Sequence, residues 1–381
     1  MHNLDRTAVV IAAAATGTAA VLVFALLPVL SGVMADQFQL DDVQTGLVAT
    51  SYFSVYALMA LSSSTWIRRF NWVKTARTGY AIMLLGLLVT LIAPSFVVAS
   101  SGLALVGAGA GLLFPISLTL VSDMTHTDRV YAIKIAAEQL VPAGLLFLLS
   151  SSLFAVAGLS TTLIALIAVV SVCFFMSLQL PAEGNVAKHS SSEKGDRLSL
   201  GIASLVALSI GFAGFAGLWA FLERIAVDNA FEPGFTNTWL AVGLITSGVG
   251  PIAAAVLEDR LGRILPMALA TAVAMATLVL LARSNSTTAY ALVLTILPLS
   301  YYFAITYMFG VVADADSNGR IAGLMSFALA VGAGSGPAIF GLLKAADGAV
   351  ILGMSLLILL GAGMMIAIQF FLQKHKTGVT A

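Results

Sequence analysis

The stretch ILGMSLLILLGAGMMIAIQFFL, residues 351–372, carries no charged side chain. A hydrophobic run of about 20 residues is long enough to cross the ~30 Å hydrocarbon core of a bilayer as an α-helix. Similar runs recur along the chain, such as AIMLLGLLVTLIA at residues 81–93. Their apolar character is continuous, whereas strands of a membrane barrel alternate apolar and polar residues. Because backbone groups in lipid must be satisfied within the segment, we predict transmembrane helices.

The composition of the whole chain agrees with this prediction. Of 381 residues, 60% are hydrophobic and 9% are charged, and the mean hydropathy is +1.02. Soluble domains carry about 25% charged residues. The net charge is zero and no run of Lys and Arg suggests nucleic acid. The four histidines lie outside the apolar runs, at His2, His126, His189 and His375. We therefore predict an integral membrane protein that is not an enzyme and has no metal site and no cofactor.

Polar breaks divide the chain into twelve predicted spans, which makes the fold all-α. They cover residues 8–33, 43–65, 75–93, 97–121, 131–155, 159–180, 199–225, 236–257, 264–283, 288–312, 320–344 and 349–372. With the N terminus inside, all but three of the 18 Lys and Arg residues are cytoplasmic, the exceptions being Arg224, Arg283 and Lys344. The positive-inside rule therefore predicts two cytoplasmic termini in a plasma membrane, which in a bacterium is the inner membrane.

The most polar stretch, PAEGNVAKHSSSEKGDRLS at residues 181–199, has six predicted spans on either side. We interpret residues 181–198 as a cytoplasmic linker. It joins an N-terminal half, residues 1–180, to a C-terminal half, residues 199–381, which ends in a short cytoplasmic tail.

A constant offset relates the two halves. When the sequence is shifted by 191 positions, Asp123 falls on Asp314, Arg129 on Arg320, Arg69 on Arg260 and Thr45 on Thr236. This offset suggests a duplication. Two six-helix repeats that face each other are a transporter architecture, because the cleft between them can open to either side.

The segment VLEDRLGR, residues 256–263, resembles the G-x-L-x-D-R-x-G-R signature of the major facilitator superfamily. Asp259, Arg260, Gly262 and Arg263 match the signature, and Ala255 replaces its first glycine. The segment GAGSGPAIFG, residues 332–341, is similar to the glycine–proline motif of the same family. The resemblance implies two pseudo-symmetric six-helix halves and secondary transport by alternating access.

The resemblance also implies a cytoplasmic gate, in which charges at helix ends hold the halves together. Its candidate members are Asp123, Arg129, Asp259, Arg260, Arg263, Asp314 and Arg320. The first half departs from the signature, since Ile67 stands where an acidic residue is expected and Arg68 is the match that remains. Leu103 occupies the place of an arginine that many proton-coupled members carry before a glycine run such as GAGAG, residues 107–111. Glycines four residues apart in these runs predict close helix packing.

The segment IKIAAEQLVPAG, residues 133–144, places Lys134, Glu138, Gln139 and Pro142 in an apolar span. Ionisable residues inside a membrane helix are functional candidates by default. Lys134 and Glu138 could neutralise each other at i, i+4, or Lys134 could reach water at the membrane surface and leave Glu138 alone. Pro142 cannot donate to the carbonyl of Glu138. We predict that spans five and eleven are interrupted at Pro142 and Pro337. At ~1.5 Å per residue, Glu138 lies about 10 Å inward from Tyr131. We predict that Glu138 is exposed in a wet cleft, where it binds a proton or a cationic group.

Further candidates for binding a substrate or a proton lie in spans seven and ten. They are Trp219, Glu223, Arg224, Tyr301, Tyr302, Thr306 and Tyr307. The tyrosines lie deep for an interfacial belt, and Tyr302 and Thr306 share a helix face, so they are suited either to lining a cavity or to helix packing. The residues of span seven lie near the external end, where a gate or an interfacial anchor is the alternative.

We expect a monomer in the lipid bilayer that moves a small-molecule substrate, with protons as a candidate coupling ion. Efflux of an amphipathic or aromatic compound is slightly preferred. Uptake by symport or uniport of an organic anion is the alternative within transport. A non-transporting membrane sensor or assembly protein on the same scaffold is the alternative from another class.

Overall fold

The fold was analysed in a computed structural model that describes residues 4–124, 127–149, 158–183, 198–257, 260–315, 324–346 and 348–377. This part of the chain forms α-helices and no strand. The helices are α1 (Thr7–Ala25), α2 (Leu27–Phe38), α3 (Asp42–Trp66), α4 (Trp72–Leu91), α5 (Phe96–Ser122), α6 (Thr127–Leu149), α7 (Leu159–Met176), α8 (Leu198–Asp228), α9 (Pro233–Leu257), α10 (Ile264–Arg283), α11 (Thr287–Ala315), α12 (Met325–Ala345) and α13 (Val350–Thr377).

Twelve membrane spans account for these helices. Within the described residues, nine helices are long and apolar enough to cross a membrane by length and composition. Helices α4, α6 and α9 are 20, 23 and 25 residues long, which at ~1.5 Å per residue also spans ~30 Å. Helices α1 and α2 together form the first span. The predicted all-helical, twelve-span fold is confirmed.

Among the spans as far as the structure describes them, the first is the one that is divided, and the interruptions predicted at Pro142 and Pro337 are wrong. Helices α6 and α12 run continuously through Pro142 and Pro337. A proline removes one hydrogen bond, and the flanking bonds hold the helix together. The break between α1 and α2 lies at Leu26, next to Pro28 in the first turn of α2. Pro28 cannot donate to the carbonyl of Phe24, and proline is favoured at the start of a new helix.

Helix packing repeats between α1–α7, here called the N-half, and α8–α13, the C-half. In the N-half α5 packs on α3 and α4, and in the C-half α11 packs on α9 and α10. Likewise α1 packs on α6 as α8 packs on α12. The halves meet where α3 packs on α12, α6 on α9 and α2 on α8. The junctions α3–α12 and α6–α9 are equivalent to each other under the repeat, as a pseudo-two-fold arrangement requires.

The close helix packing predicted for the glycine runs is present in both halves. A Cβ on Gly107 would clash with the carbonyl oxygen of Tyr52 on α3. A Cβ on Gly336 would clash with the carbonyl oxygen of Ala213 on α8. Glycine at these two positions lets the backbones approach to a distance that a larger residue would prevent.

Candidate functional site

A buried ion pair lies on α6. The Lys134 ammonium group donates to Oε1 of Glu138, one helical turn away. Lys134 is 2% exposed and Glu138 is 6% exposed. The pair packs on α1 at Gly17, where a Cβ would clash with Oε1 of Glu138. Ser117 of α5 also lies there, and its hydroxyl donates to the carbonyl of Ala13 at 2.8 Å. The absence of a side chain at Gly17 makes room for the carboxylate.

The position of this pair corrects two expectations. Lys134 does not extend to the membrane surface but binds Glu138, and Glu138 is buried rather than exposed to a wet cleft. Helix α6 begins at Thr127, so at ~1.5 Å per residue Glu138 lies about 17 Å along it.

Gln139, the next residue, links the two halves. Its side-chain oxygen accepts a hydrogen bond of 2.8 Å from the hydroxyl of Ser247 on α9. Its Cβ and Cγ lie 3.6 and 3.7 Å from the place that a Cβ on Gly248 would take. Gln139 therefore holds the segment that carries Glu138 against the C-half.

Aromatic residues from both halves surround the ion pair. The Lys134 ammonium group lies 4.5 Å from the ring centroid of Phe114 on α5, a cation–π distance. The Glu138 carboxylate lies within electrostatic range of the hydroxyls of Tyr56 on α3 and Tyr302 on α11. Electrostatic interactions of Glu138 thus reach a tyrosine in each half.

A series of ring contacts leads from this pair across the junction of the halves. Tyr56 contacts Phe114 at a centroid distance of 6.4 Å and Phe53 at 5.9 Å. Phe53 contacts Phe24 at 5.8 Å, and Phe24 contacts Phe212 of the C-half at 5.4 Å. Sequence reasoning missed these five rings. The segment SYFSVY, residues 51–56, was the available signal, because it concentrates aromatic residues in a span.

The other aromatic candidates pack mostly inside the C-half. Tyr301 and Trp219 both stack on Phe215, at centroid distances of 4.3 and 6.2 Å. The hydroxyl of Tyr301 and the indole N–H of Trp219 are buried without a hydrogen-bond partner. The hydroxyl of Thr306 donates to the carbonyl of Tyr302 at 2.9 Å. Tyr307 packs on Phe303 at 5.3 Å. Among the candidates of span ten, Tyr302 interacts electrostatically with Glu138.

Glu223 and Arg224 lie at the membrane face opposite the one that carries the N terminus; we call these the opposite face and the terminus face. Arg224 donates to Asp36 at 2.8 Å and to the carbonyl of Gly32 at 3.0 Å, both on α2. Glu223 presses on Gly32, where a Cβ would lie 2.6 Å from its carboxyl carbon. Under the 191-residue offset Glu223 and Gly32 are equivalent positions, so α2 and α8 touch close to the pseudo-two-fold axis.

A second ion-pair group lies on the opposite face. Lys344 of α12 binds Asp42 of α3 at 3.2 Å and Asp228 of α8 at 2.9 Å. A cavity of about 290 Å³ lies among these charges and is also lined by Asp36 and Arg224. Together with the α3–α12 packing, these pairs join the halves on the opposite face.

On the terminus face two arginines bind groups of their own half. Arg68 donates to both carboxylate oxygens of Asp123 at 2.5 and 2.8 Å. Asp123 thus binds the arginine that follows Ile67, which extends the set of gate candidates by Arg68. In the C-half Arg263 donates to the carbonyl of Gly310 at 2.9 Å, and Arg260 is exposed. Asp259, Arg320 and the side chains of Arg129 and Asp314 lie outside the described residues, as do residues 184–197 of the predicted linker.

Comparison with known proteins gives two findings. The sequence model of the Major Facilitator Superfamily matches residues 11–337. The fold is similar to the crystal structure of a Major Facilitator Superfamily (MFS) transporter, FucP, in the outward conformation. The TM-score is 0.60 at 16% identity, with 94% of this chain and 98% of that chain covered. At this identity the likeness shows the fold. A search of curated proteins found no match.

Proposed function

Because the chain belongs to the major facilitator superfamily and is a multi-pass secondary transporter, we propose that it moves a small organic molecule by alternating access and couples this movement to protons at Glu138. The observation that carries the proposal is the buried Lys134–Glu138 pair, whose neighbour Gln139 is hydrogen-bonded to Ser247 of the C-half. A transporter must change its binding site when the halves move, and a site formed by both halves meets that requirement. Efflux of an amphipathic or aromatic compound is the preferred direction and class, given the aromatic residues around the pair.

The charge balance of the pair supplies a physical basis for coupling. When Glu138 is ionised, it compensates the charge of Lys134 in surroundings that exclude water. A proton on Glu138 would leave the ammonium group buried without a counter-ion, which is costly in a medium of low dielectric constant. Protonation of Glu138 therefore changes the free-energy difference between two conformations. One of them encloses the pair, and in the other water reaches it. A ligand shifts a conformational equilibrium by its difference in affinity for the two states.

In the proposed movement the two halves separate at the opposite face. Here the halves are joined by the α3–α12 packing, by Arg224 with Asp36 and by Lys344 with Asp42. Opening this face separates these contacts. Lys344 keeps Asp228 of its own half as a partner, so it does not become an isolated charge. If the termini are cytoplasmic, this arrangement is closed to the outside.

The test is transport in proteoliposomes, with and without an imposed pH gradient, of a compound first identified by a thermal-shift screen. We expect Glu138→Gln to abolish the dependence of transport on the gradient. The matched control is Glu232→Gln, the same change at an exposed position between α8 and α9, which should leave transport unchanged. Transport by Glu138→Gln that still responds to the gradient would remove Glu138 from the coupling mechanism. A wild-type protein that moves no binding compound would favour the sensor or assembly alternative.

A further inference from the structure

We propose that the turn between α3 and α4 binds the headgroup of an anionic phospholipid from the leaflet at the terminus face. The site consists of three cations, Arg69, Lys74 and Arg77, at the end of an exposed apolar stripe on α4. Helix α4 packs on α5 and α7 of the N-half. The site is separate from the ion pair on α6, so this inference is independent of the proposed function.

The turn carries more positive charge than its neighbours compensate. The stretch IRRFNWVKTAR, residues 67–77, contains four cations and no acidic residue. One of the four, Arg68, binds Asp123 through two hydrogen bonds. The other three are exposed and pair with no carboxylate among the described residues: Arg69, Lys74 and Arg77. Basic clusters of this kind next to a membrane helix attract anionic lipids.

The backbone of the turn is held in place by Trp72 and Asn71. The indole N–H of Trp72 donates to the carbonyl of Ile67 at 2.6 Å, and its backbone N–H donates to the carbonyl of Ala182 at 2.8 Å. The side chain of Asn71 caps α4 by accepting from the backbone N–H of Lys74 at 3.0 Å. These contacts order the turn before a ligand binds, which lowers the entropic cost of binding.

An exposed apolar stripe on α4 leads to the cations. Because an α-helix has about 3.6 residues per turn, positions 74, 77, 81, 85 and 88 lie on one face of α4. All five are exposed, and Leu85 and Leu88 are large apolar residues. Lys74 and Arg77 are three residues apart, so their side chains are neighbours and both can contact one phosphate. A lipid whose acyl chain follows this stripe therefore places its headgroup at the cations.

Phe70 adds an apolar contact beside the cations. Its side chain is exposed, and its ring stacks on Trp66 at a centroid distance of 6.5 Å. Aromatic rings at the level of the headgroups are typical of residues at a membrane–water interface. A free phosphate ion gains nothing from an exposed ring and an apolar stripe, whereas a phospholipid contacts both. The occupant is therefore a lipid.

The C-half has the equivalent exposed positions without these two cations. Under the 191-residue offset Lys74 corresponds to Leu265 and Arg77 to Ala268, both exposed on α10. A general bias toward positive charge on the terminus face would act on both halves. The additional cations are therefore a local feature of the turn in the N-half.

Native mass spectrometry of the intact protein in a nonionic detergent measures the binding. The protein is titrated with phosphatidylglycerol or with phosphatidylcholine that has the same acyl chains, and we expect tighter binding of phosphatidylglycerol. Lys74→Gln with Arg77→Gln should weaken phosphatidylglycerol binding about 30-fold, since each cation near an anionic lipid contributes roughly fivefold. Binding of phosphatidylcholine should not change. The matched control, Arg6→Gln with Arg260→Gln, removes two exposed cations from the same face and should leave phosphatidylglycerol binding unchanged.

A gain-of-function variant tests the site without damaging it. Leu265→Lys with Ala268→Arg copies the two cations onto the C-half and should add a second site for phosphatidylglycerol. Equal binding of the two lipids, full phosphatidylglycerol binding after loss of Lys74 and Arg77, or the same loss in the control would each overturn the proposal. So would the absence of a second site in the gain-of-function variant. Competition by glycerol 3-phosphate at the concentration of the lipid would show a site for free phosphate instead. None of these measurements uses transport, so their failure leaves the proposed function intact.

Discussion

Replacing Gly46 by alanine should open the opposite face. At this point α3 and α12 cross with their backbones in contact, and the hydroxyl of Thr50 donates to the carbonyl of Gly334 at 2.7 Å. A Cβ on Gly46 would lie 2.6 Å from the carbonyl oxygen of Pro337 and 3.1 Å from Cα of Ala338. Since these atoms belong to the backbone of the other half, they cannot move aside as a flexible side chain would. The halves must separate to accept the methyl group.

The size of the effect follows from that overlap. Ordinary van der Waals contact begins at 3.4 Å, so the methyl group lies about 0.8 Å too close to the oxygen. Overpacking of this kind costs about 1–3 kcal/mol. The cost falls on the arrangement with a closed opposite face, so the ratio of open to closed should rise about 5- to 150-fold. Alanine also stabilises a helix by roughly 0.5–1 kcal/mol relative to glycine. That gain is the same in both arrangements and leaves their ratio unchanged.

Double electron–electron resonance measures this shift directly. Spin labels are placed at Gln37 and Glu232, which are exposed on the opposite face in the two halves, in a Cys173→Ser background. The distance distribution of Gly46→Ala should gain a longer component. Gly363→Ala is the matched control, because a Cβ there meets no atom within 4 Å. A folded Gly46→Ala protein whose distribution equals that of the wild type would refute the steric argument.

Three further changes test single contacts. Tyr52→Phe removes a buried hydrogen bond to a carbonyl of α1 and should lower the free energy of unfolding by about 0.5–1.5 kcal/mol; an unchanged thermal midpoint would contradict this. Asp123→Asn removes the charge that Arg68 binds through two hydrogen bonds. It should lower the thermal midpoint at low salt more than in 1 M salt, where screening already weakens a pair whose arginine is 41% exposed; equal losses would argue against an electrostatic role. Gln139→Leu breaks the link to Ser247. The hydrogen bond contributes about 0.5–1.5 kcal/mol, so its loss should raise the reactivity toward thiol reagents of a cysteine introduced at the α6–α9 junction in a Cys173→Ser background. Unaltered reactivity would show that the bond does not hold the halves.

Hydropathy and residue spacing along the chain were sufficient to predict the helices and to offer the ion pair as an alternative. The twelve spans follow from continuous apolar runs, and the pairing of Lys134 with Glu138 was one of two alternatives that their spacing allowed. The pattern failed where several weak effects compete. Five spans contain proline in their interiors, yet the first span is divided next to Pro28. Whether a proline ends a helix depends on the packing of its neighbours as well as on its missing N–H.

The sequence by itself determined that this protein is a bundle of membrane helices built from two repeats, because a helix in lipid satisfies its own backbone and needs only a long apolar run. The tertiary structure decided which residues meet. Gln139 and Ser247 are more than a hundred positions apart, as are Gly46 and Pro337, and the five aromatic rings come from four different helices. Their contacts depend on how each helix is rotated and where it crosses its neighbours. Apolar side chains face lipid and protein alike in a membrane, so hydropathy does not distinguish the two faces, and only the packed fold buried Glu138 and brought Gln139 to Ser247.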